Sequence, residues 1–245
     1  MRASPARREH AVAHFCAERT IDGLLAHYQA LRTSSKALAI PDEADIHTRI
    51  AGWMSARRRP DRTLIVGIDG AGGAGKSTVA AALADKLGAA VVAMDDFYRL
   101  LAERRAPDPH GWGSDFDHER LRAEVLEPLV AGRRVRYGVY DWHEDRMCAG
   151  ARSVSCPIVL VEGIYVLQPR LRGFFDLAVW IDAPREERLR RGLERDGEAE
   201  RATWEQRWMP QEDRYMASVD PRASADLILD GSVEPPTIVR GPTDV

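Results

Sequence analysis

Asparagine is absent from the 245-residue sequence, and cysteine occurs only three times, at Cys16, Cys148 and Cys156. The first absence excludes the Asn-Lys-x-Asp segment with which GTPases read guanine. The second, an odd total with no CxxC pair, argues against a disulfide framework and for reduced thiols in a cytoplasm. No apolar run approaches the ~18 residues of a membrane span. The basic start, MRASPARR, lacks the apolar stretch of a secretory signal. The formal net charge is −3, so no global basic field draws nucleic acid or membrane, and any anion must be recognised locally. With 44% hydrophobic and 30% charged residues, the chain reads as a globular cytoplasmic protein with a sizeable core.

Within residues 8–32, Ile21, Leu24, Leu25, Tyr28 and Leu31 form a stripe that predicts an amphipathic helix, followed by a polar linker. Asp42 reads as the N-cap of a second helix carrying Ile46, Ile50, Trp53 and Met54, which ends at Arg57, Arg58, Arg59 and Pro60. From Thr63 the pattern changes. Short apolar runs at 64–69, 89–94, 158–161, 177–181 and 225–229 predict buried strands, and helical patterns lie at 76–87, 117–131, 184–196 and 203–218. Strands alternating with helices predict an α/β domain with a largely parallel sheet. The expected organisation is a helical extension with its linker over 1–42, the main domain over 43–233, and an irregular tail over 234–245 opened by Pro235 and Pro236.

GAGGAGKS, from Gly70 to Ser77, matches the phosphate-loop pattern G-x4-G-K-[ST], and it sits between a predicted strand and an alanine-rich helix. The predicted cradle comprises Gly70, Gly72, Gly73, Ala74, Gly75, Lys76, Ser77 and Thr78. Such a loop turns backbone N–H groups toward phosphate oxygens, and the helix N-terminus adds its positive end. Lys76 is expected to reach the β/γ-phosphates, and the Ser77 hydroxyl to bind Mg²⁺. The strand at 158–161 ends in Glu162, a carboxylate placed to serve the same ion. The run VVAMDDFYRL ends in Asp95 and Asp96. Strand ends of a parallel sheet converge on the phosphate site. Asp95 is therefore expected to orient an acceptor hydroxyl, accept its proton and lie within reach of the metal, while Asp96 caps the turn. Phe97 and Tyr98 either wall a planar ring or fill core.

Taken in order, GIDGAGGAGKST (from Gly67), MDDFY (from Met94), YDW (from Tyr140), VEGIY (from Val161) and RLRRGLERD (from Arg188) resemble the uridine kinase and phosphoribulokinase family, over about Leu64 to Gly231. The resemblance implies a P-loop NTPase-type three-layer sandwich with a helical, arginine-bearing lid, and an ATP- and Mg²⁺-dependent kinase acting on a small-molecule alcohol, a nucleoside above all. It makes Asp95 the general base and Glu162 the metal-associated acid. It also puts Tyr98, Tyr140, Trp142 and His143 beside the acceptor. The family's Phe-Asp-His-Pro segment appears as DFDHERL without the proline, so Asp117 reads as a helix cap and Asp115 takes its place toward the sugar. Arg188, Arg191 and Arg195 share one helix face, as expected of a lid that neutralises charge during transfer. The same arginines would pair with Glu186, Glu187 and Glu194 if the helix were merely a solvated face. Trp204 and Trp208 read as packing. A homo-oligomer is left open, and an ATP-driven switch protein is the competing reading of another class.

Overall fold

The computed structural model describes residues 45–105 and 111–241. The predicted helix at 8–32 and the Asp42 cap lie outside them. Helix α1 (Ile46–Arg57) is capped by Asp45, whose carboxylate accepts the N–H groups of His47 and Thr48. Strand β1 (Leu64–Asp69) is buried on both faces, which is why it reads as an unbroken apolar run. It feeds the glycine loop and α2 (Lys76–Leu87), a helix closed by Gly88 in the left-handed conformation. Strand β2 (Ala90–Ala93) runs into a single 3₁₀ turn, Met94–Phe97. Helix α3 (His118–Leu121) starts at Asp117, whose side chain accepts the Arg120 N–H, and continues helically to Val130.

Strands β3 (Val135–Asp141) and β4 (Arg146–Val154) then form an antiparallel hairpin that is a sheet of its own. After it come β5 (Ile158–Glu162), β6 (Leu177–Asp182), α4 (Arg185–Asp196), α5 (Met209–Val219), β7 (Leu227–Asp230) and β8 (Thr237–Arg240). The main sheet has the order β2-β5-β1-β6-β7-β8, parallel except for β8. One apolar cluster packs α1 and α2 against one face of the sheet. A second packs helix 118–130, the hairpin and Tyr215 of α5 against the other, which gives three layers.

Two expectations are corrected. The tail is not irregular throughout, because Thr237–Arg240 pairs antiparallel with β7 and covers that edge. The hairpin had no counterpart in the sequence reading. No helix among the described residues is long and apolar enough to cross a membrane.

The register places the chemistry. Glu162 pairs with Ile68 on one side and Ala93 on the other, so the ends of β1, β5 and β2 lie side by side. The glycine loop, Glu162 and Asp95 leave the sheet at the same edge.

Candidate active site

The loop from Gly70 to Ser77 turns through Gly73 (φ 77°) and Gly75 (φ 100°) before α2 begins. A Cβ at Gly73 would stand 2.4 Å from the Arg188 carbonyl oxygen, so both backbone angle and space require glycine there. Lys76 is buried, and its Nζ donates to the Ala71 carbonyl at 2.9 Å. Burial pulls its pKa down, opposed by Glu162, Glu212, Asp69 and Asp95. The ammonium therefore lies at the focus of four carboxylates, beneath the loop. Ser77 and Thr78 are exposed at the first turn of α2, beside the remaining loop residues Gly70, Gly72 and Ala74.

The Ser77 hydroxyl donates to Glu162 Oε1 at 3.1 Å. Burial pushes the Glu162 carboxyl up to about 7, Lys76 opposes this, and Asp95 reinforces it. Among the described residues no three His, Cys, Asp or Glu side chains converge on one metal position. Ser77 and Glu162 supply two oxygens with a second carboxylate, Asp95, in Coulombic reach, and this suits Mg²⁺, which takes few protein ligands and completes its shell with water and phosphate. A proton competes with a cation for Glu162. Binding of Mg²⁺ with nucleotide is therefore expected to strengthen as pH rises toward about 7, by up to about tenfold per unit on the acid side. Titration calorimetry across that range checks this, and Glu162→Gln should flatten the profile.

Asp95 stands exposed in the turn after β2, and among the described residues its carboxylate has no hydrogen-bond partner. Its charge acts on Lys76, Glu162 and Arg195, so it lies within Coulombic reach of all three. Asp96 does not cap the turn. It is buried, and its Oδ2 accepts from Arg152 Nη1 of β4 at 2.8 Å and from the Tyr137 hydroxyl at 3.2 Å. Phe97 belongs to the core, fully buried and stacked on Tyr137 at 5.2 Å.

Tyr98 is enclosed as well. Phe116, Trp142 and the Arg104 guanidinium cover its ring, with centroid distances of 4.9, 4.2 and 4.2 Å. Only its hydroxyl is used, donating to Asp115 Oδ2 at 3.3 Å. Asp115 is buried, and Arg207 Nη2 reaches both its oxygens at 3.0 and 2.9 Å. The Tyr140 hydroxyl donates to Asp145 at 2.8 Å and accepts from Arg104 at 2.6 Å. Trp142 keeps 39% of its surface exposed, and His143 is exposed in the turn of the hairpin.

The three lid arginines part company. Arg188 is buried and paired with Glu212 at 2.7 Å, so it does not face the phosphate side. Arg191 staples the loop to the end of β7, donating to the carbonyls of Gly231 at 2.7 Å and Gly73 at 3.4 Å. Of the three, Arg195 is the one on which the charges of Asp95 and Glu162 act. It forms two bonds to Asp196, and its guanidinium lies 5.8 Å from the Trp204 ring centre.

Asp69, Glu212 and Arg207 were missed by sequence reasoning. Asp69 is fully buried and accepts from the N–H groups of Gly70, Tyr165 and Leu167 and from the Tyr215 hydroxyl. Burial nevertheless lifts its carboxyl to about 6. Its position as the last residue of a buried strand before the loop was the available signal. Glu212 and Arg207 carry none.

A glycine loop between strand and helix, a buried lysine in it and a serine–glutamate pair beside it are the parts of a phosphotransferase of the P-loop kinase class. Residues 65–231 match the family model described as Phosphoribulokinase / Uridine kinase family, and the chain belongs to that family. It is 30% identical over 185 residues to a uridine kinase of Aliivibrio fischeri (strain MJ11), covering 68% of this chain and 85% of the relative. To a uridine kinase of Clostridium botulinum (strain 657 / Type Ba4) it is 33% identical over 144 residues, 55% of this chain and 69% of the relative. Among solved structures it is similar to a possible uridine kinase from Bacillus stearothermophilus (TM-score 0.58, 23% identity, 74% of this chain and 96% of that one). A similar likeness holds to D-glycerate 3-kinase from Cryptococcus neoformans (TM-score 0.51, 14% identity, 77% of this chain and 96% of that one). At these identities the two structures establish the fold alone.

Proposed function

We propose that the protein transfers the γ-phosphoryl group of ATP to an alcohol, with the 5′-hydroxyl of a nucleoside such as uridine as the leading acceptor. The carboxylate of Asp95 carries this reading, because among the described residues it has no hydrogen-bond partner and its charge acts on Lys76. A carboxylate so placed orients an incoming hydroxyl and takes its proton. Lys76 and the loop amides hold the phosphates, and Arg195 meets charge developing on the transferred group. Ser77 and Glu162 would hold Mg²⁺, with Asp95 in reach, and the ion would supply charge neutralisation on the phosphates. The names of the curated relatives support a nucleoside acceptor.

A second reading keeps the chemistry but changes the acceptor to a vitamin, sugar or natural-product hydroxyl. Two observations favour it. Asp117 is used as a helix cap, and the Tyr98 ring is closed off by Arg104 and Trp142 rather than open to a base. A screen of nucleosides, sugars and vitamins with product mass detection separates the two. ATP consumption that ignores every alcohol would instead indicate a switch protein. Trp142 offers the exposed ring of the acceptor side, so Trp142→Ala is expected to raise the acceptor KM about tenfold while the ATP KM stays within about twofold. Equal changes in both constants would remove Trp142 from the acceptor pocket.

A further inference from the structure

Glu212 lies outside every motif, yet it is 1% exposed on α5. Its Oε1 accepts the Gly72 N–H at 3.1 Å, and its Oε2 accepts from Arg188 Nη1 at 2.7 Å. Arg188 is 4% exposed in the first turn of α4, so the pair is desolvated on both sides. The surrounding backbone is equally tight. A Cβ at Gly72 would come within 2.9 Å of both Glu212 Oε1 and the Trp204 ring, and one at Gly192 within 2.4 Å of the same ring. With Gly73 against the Arg188 carbonyl, the loop, the first two turns of α4 and the segment leading into α5 pack as one block. Arg195 follows Arg188 by seven residues, two turns along α4 on nearly the same side. Whatever fixes Arg188 therefore fixes where Arg195 points.

We propose that Glu212 is a positioning residue for phosphoryl transfer. Its carboxylate holds the Gly72 side of the loop in the shape that receives phosphates, and through Arg188 it sets the rotation of α4 that brings Arg195 over the site. This rests on the reading of Gly70–Ser77 as the ATP cradle. Arg188 is then the anchor of the arginine helix rather than a phosphate contact.

A buried ion pair that only fills space can be replaced by apolar residues of similar volume at little cost, and this supplies the test. Arg188→Met with Glu212→Leu removes both charges and the acceptor for Gly72. Arg188→Met with Glu212→Gln removes the charges but keeps an oxygen for that N–H. Binding of ATP with Mg²⁺, measured by calorimetry without any acceptor, is expected to weaken about tenfold or more in the Leu variant and to stay within about threefold of wild type in the Gln variant. Undiminished binding in a folded Leu variant would reduce the pair to packing, and equal loss in both variants would show that the acceptor for Gly72 is not what Glu212 contributes; either overturns the proposal. Should the variants not fold, hydrogen exchange of the wild type decides. The Gly72 amide is expected to exchange slowly without nucleotide, and fast exchange there overturns the proposal. A wild-type protein that binds no ATP would refute the cradle itself, which separates that failure from the failure of Glu212.

Discussion

Lys76→Ala is expected to reduce turnover at least about a thousandfold while leaving the far-ultraviolet circular dichroism of the protein unchanged. The ammonium is buried beside the loop, bonded to the Ala71 carbonyl, and the charges of Glu162, Glu212, Asp69 and Asp95 act on it. Loss of a single neutral donor from a charge-stabilising site commonly costs about 10²–10³ in kcat, and a desolvated full charge on the transferred phosphates is worth more. The fold should survive, since alanine suits the first turn of α2 and the glycine loop keeps its packing against α4. Removing the positive charge also leaves Glu162 without its main opponent to protonation. Affinity for Mg²⁺ with nucleotide should therefore fall together with kcat. A folded Lys76→Ala protein with unchanged turnover would refute the kinase reading.

Asp95→Asn is the second large effect, a loss of roughly 10²–10⁴ in kcat, the usual range for a general base. Asparagine keeps the size and the turn, and the loop with Lys76 still holds the phosphates, so binding of ATP alone should change little. The neighbouring acid provides the control. Asp96 ties the hairpin to the turn after β2 through Arg152 of β4 and Tyr137 of β3, so Asp96→Asn acts on the hairpin rather than on the proton. Its expected cost is about 1–3 kcal/mol of stability, toward the lower end because Arg152 is 37% exposed. Thermal melting and kcat measured side by side on both variants separate the roles. An inactive, stable Asp96→Asn beside an active Asp95→Asn would show that the base has been assigned to the wrong carboxylate.

The donor half was legible in the sequence because its signals are local. Strands β1, β5 and β6 are buried on both faces and read as apolar runs, the glycine spacing announces the loop, and Glu162 closes a run that ends beside it. The acceptor half was not. Strand β4 is exposed along nearly its whole length, so RMCAGARSV shows no alternation to mark it. Strand β8 is a short, mostly exposed edge whose existence depends on β7. Pairings set by the fold left no trace either: Asp115 meets Arg207 from 92 positions away, and Arg188 meets Glu212 from 24. The helix carrying Arg188, Arg191 and Arg195 was legible in the sequence, but their neighbours give the three different partners.

The hairpin β3–β4 shares no ladder with the main sheet and is held to it by side chains, chiefly Asp96 with Arg152 and Tyr137, and Arg120 with the Gly138 carbonyl. Its backbone pairing is therefore self-contained, and its turn, with Trp142 and His143, can lengthen, shorten or change composition without disturbing a hydrogen bond of the sheet. The phosphate loop has no such latitude, being wedged between the backbone of α4 and the ring of Trp204. On the proposed reading, replacements are tolerated on the detachable appendage more readily than in the loop, so that acceptor preference is expected to be easier to change than the choice of phosphate donor.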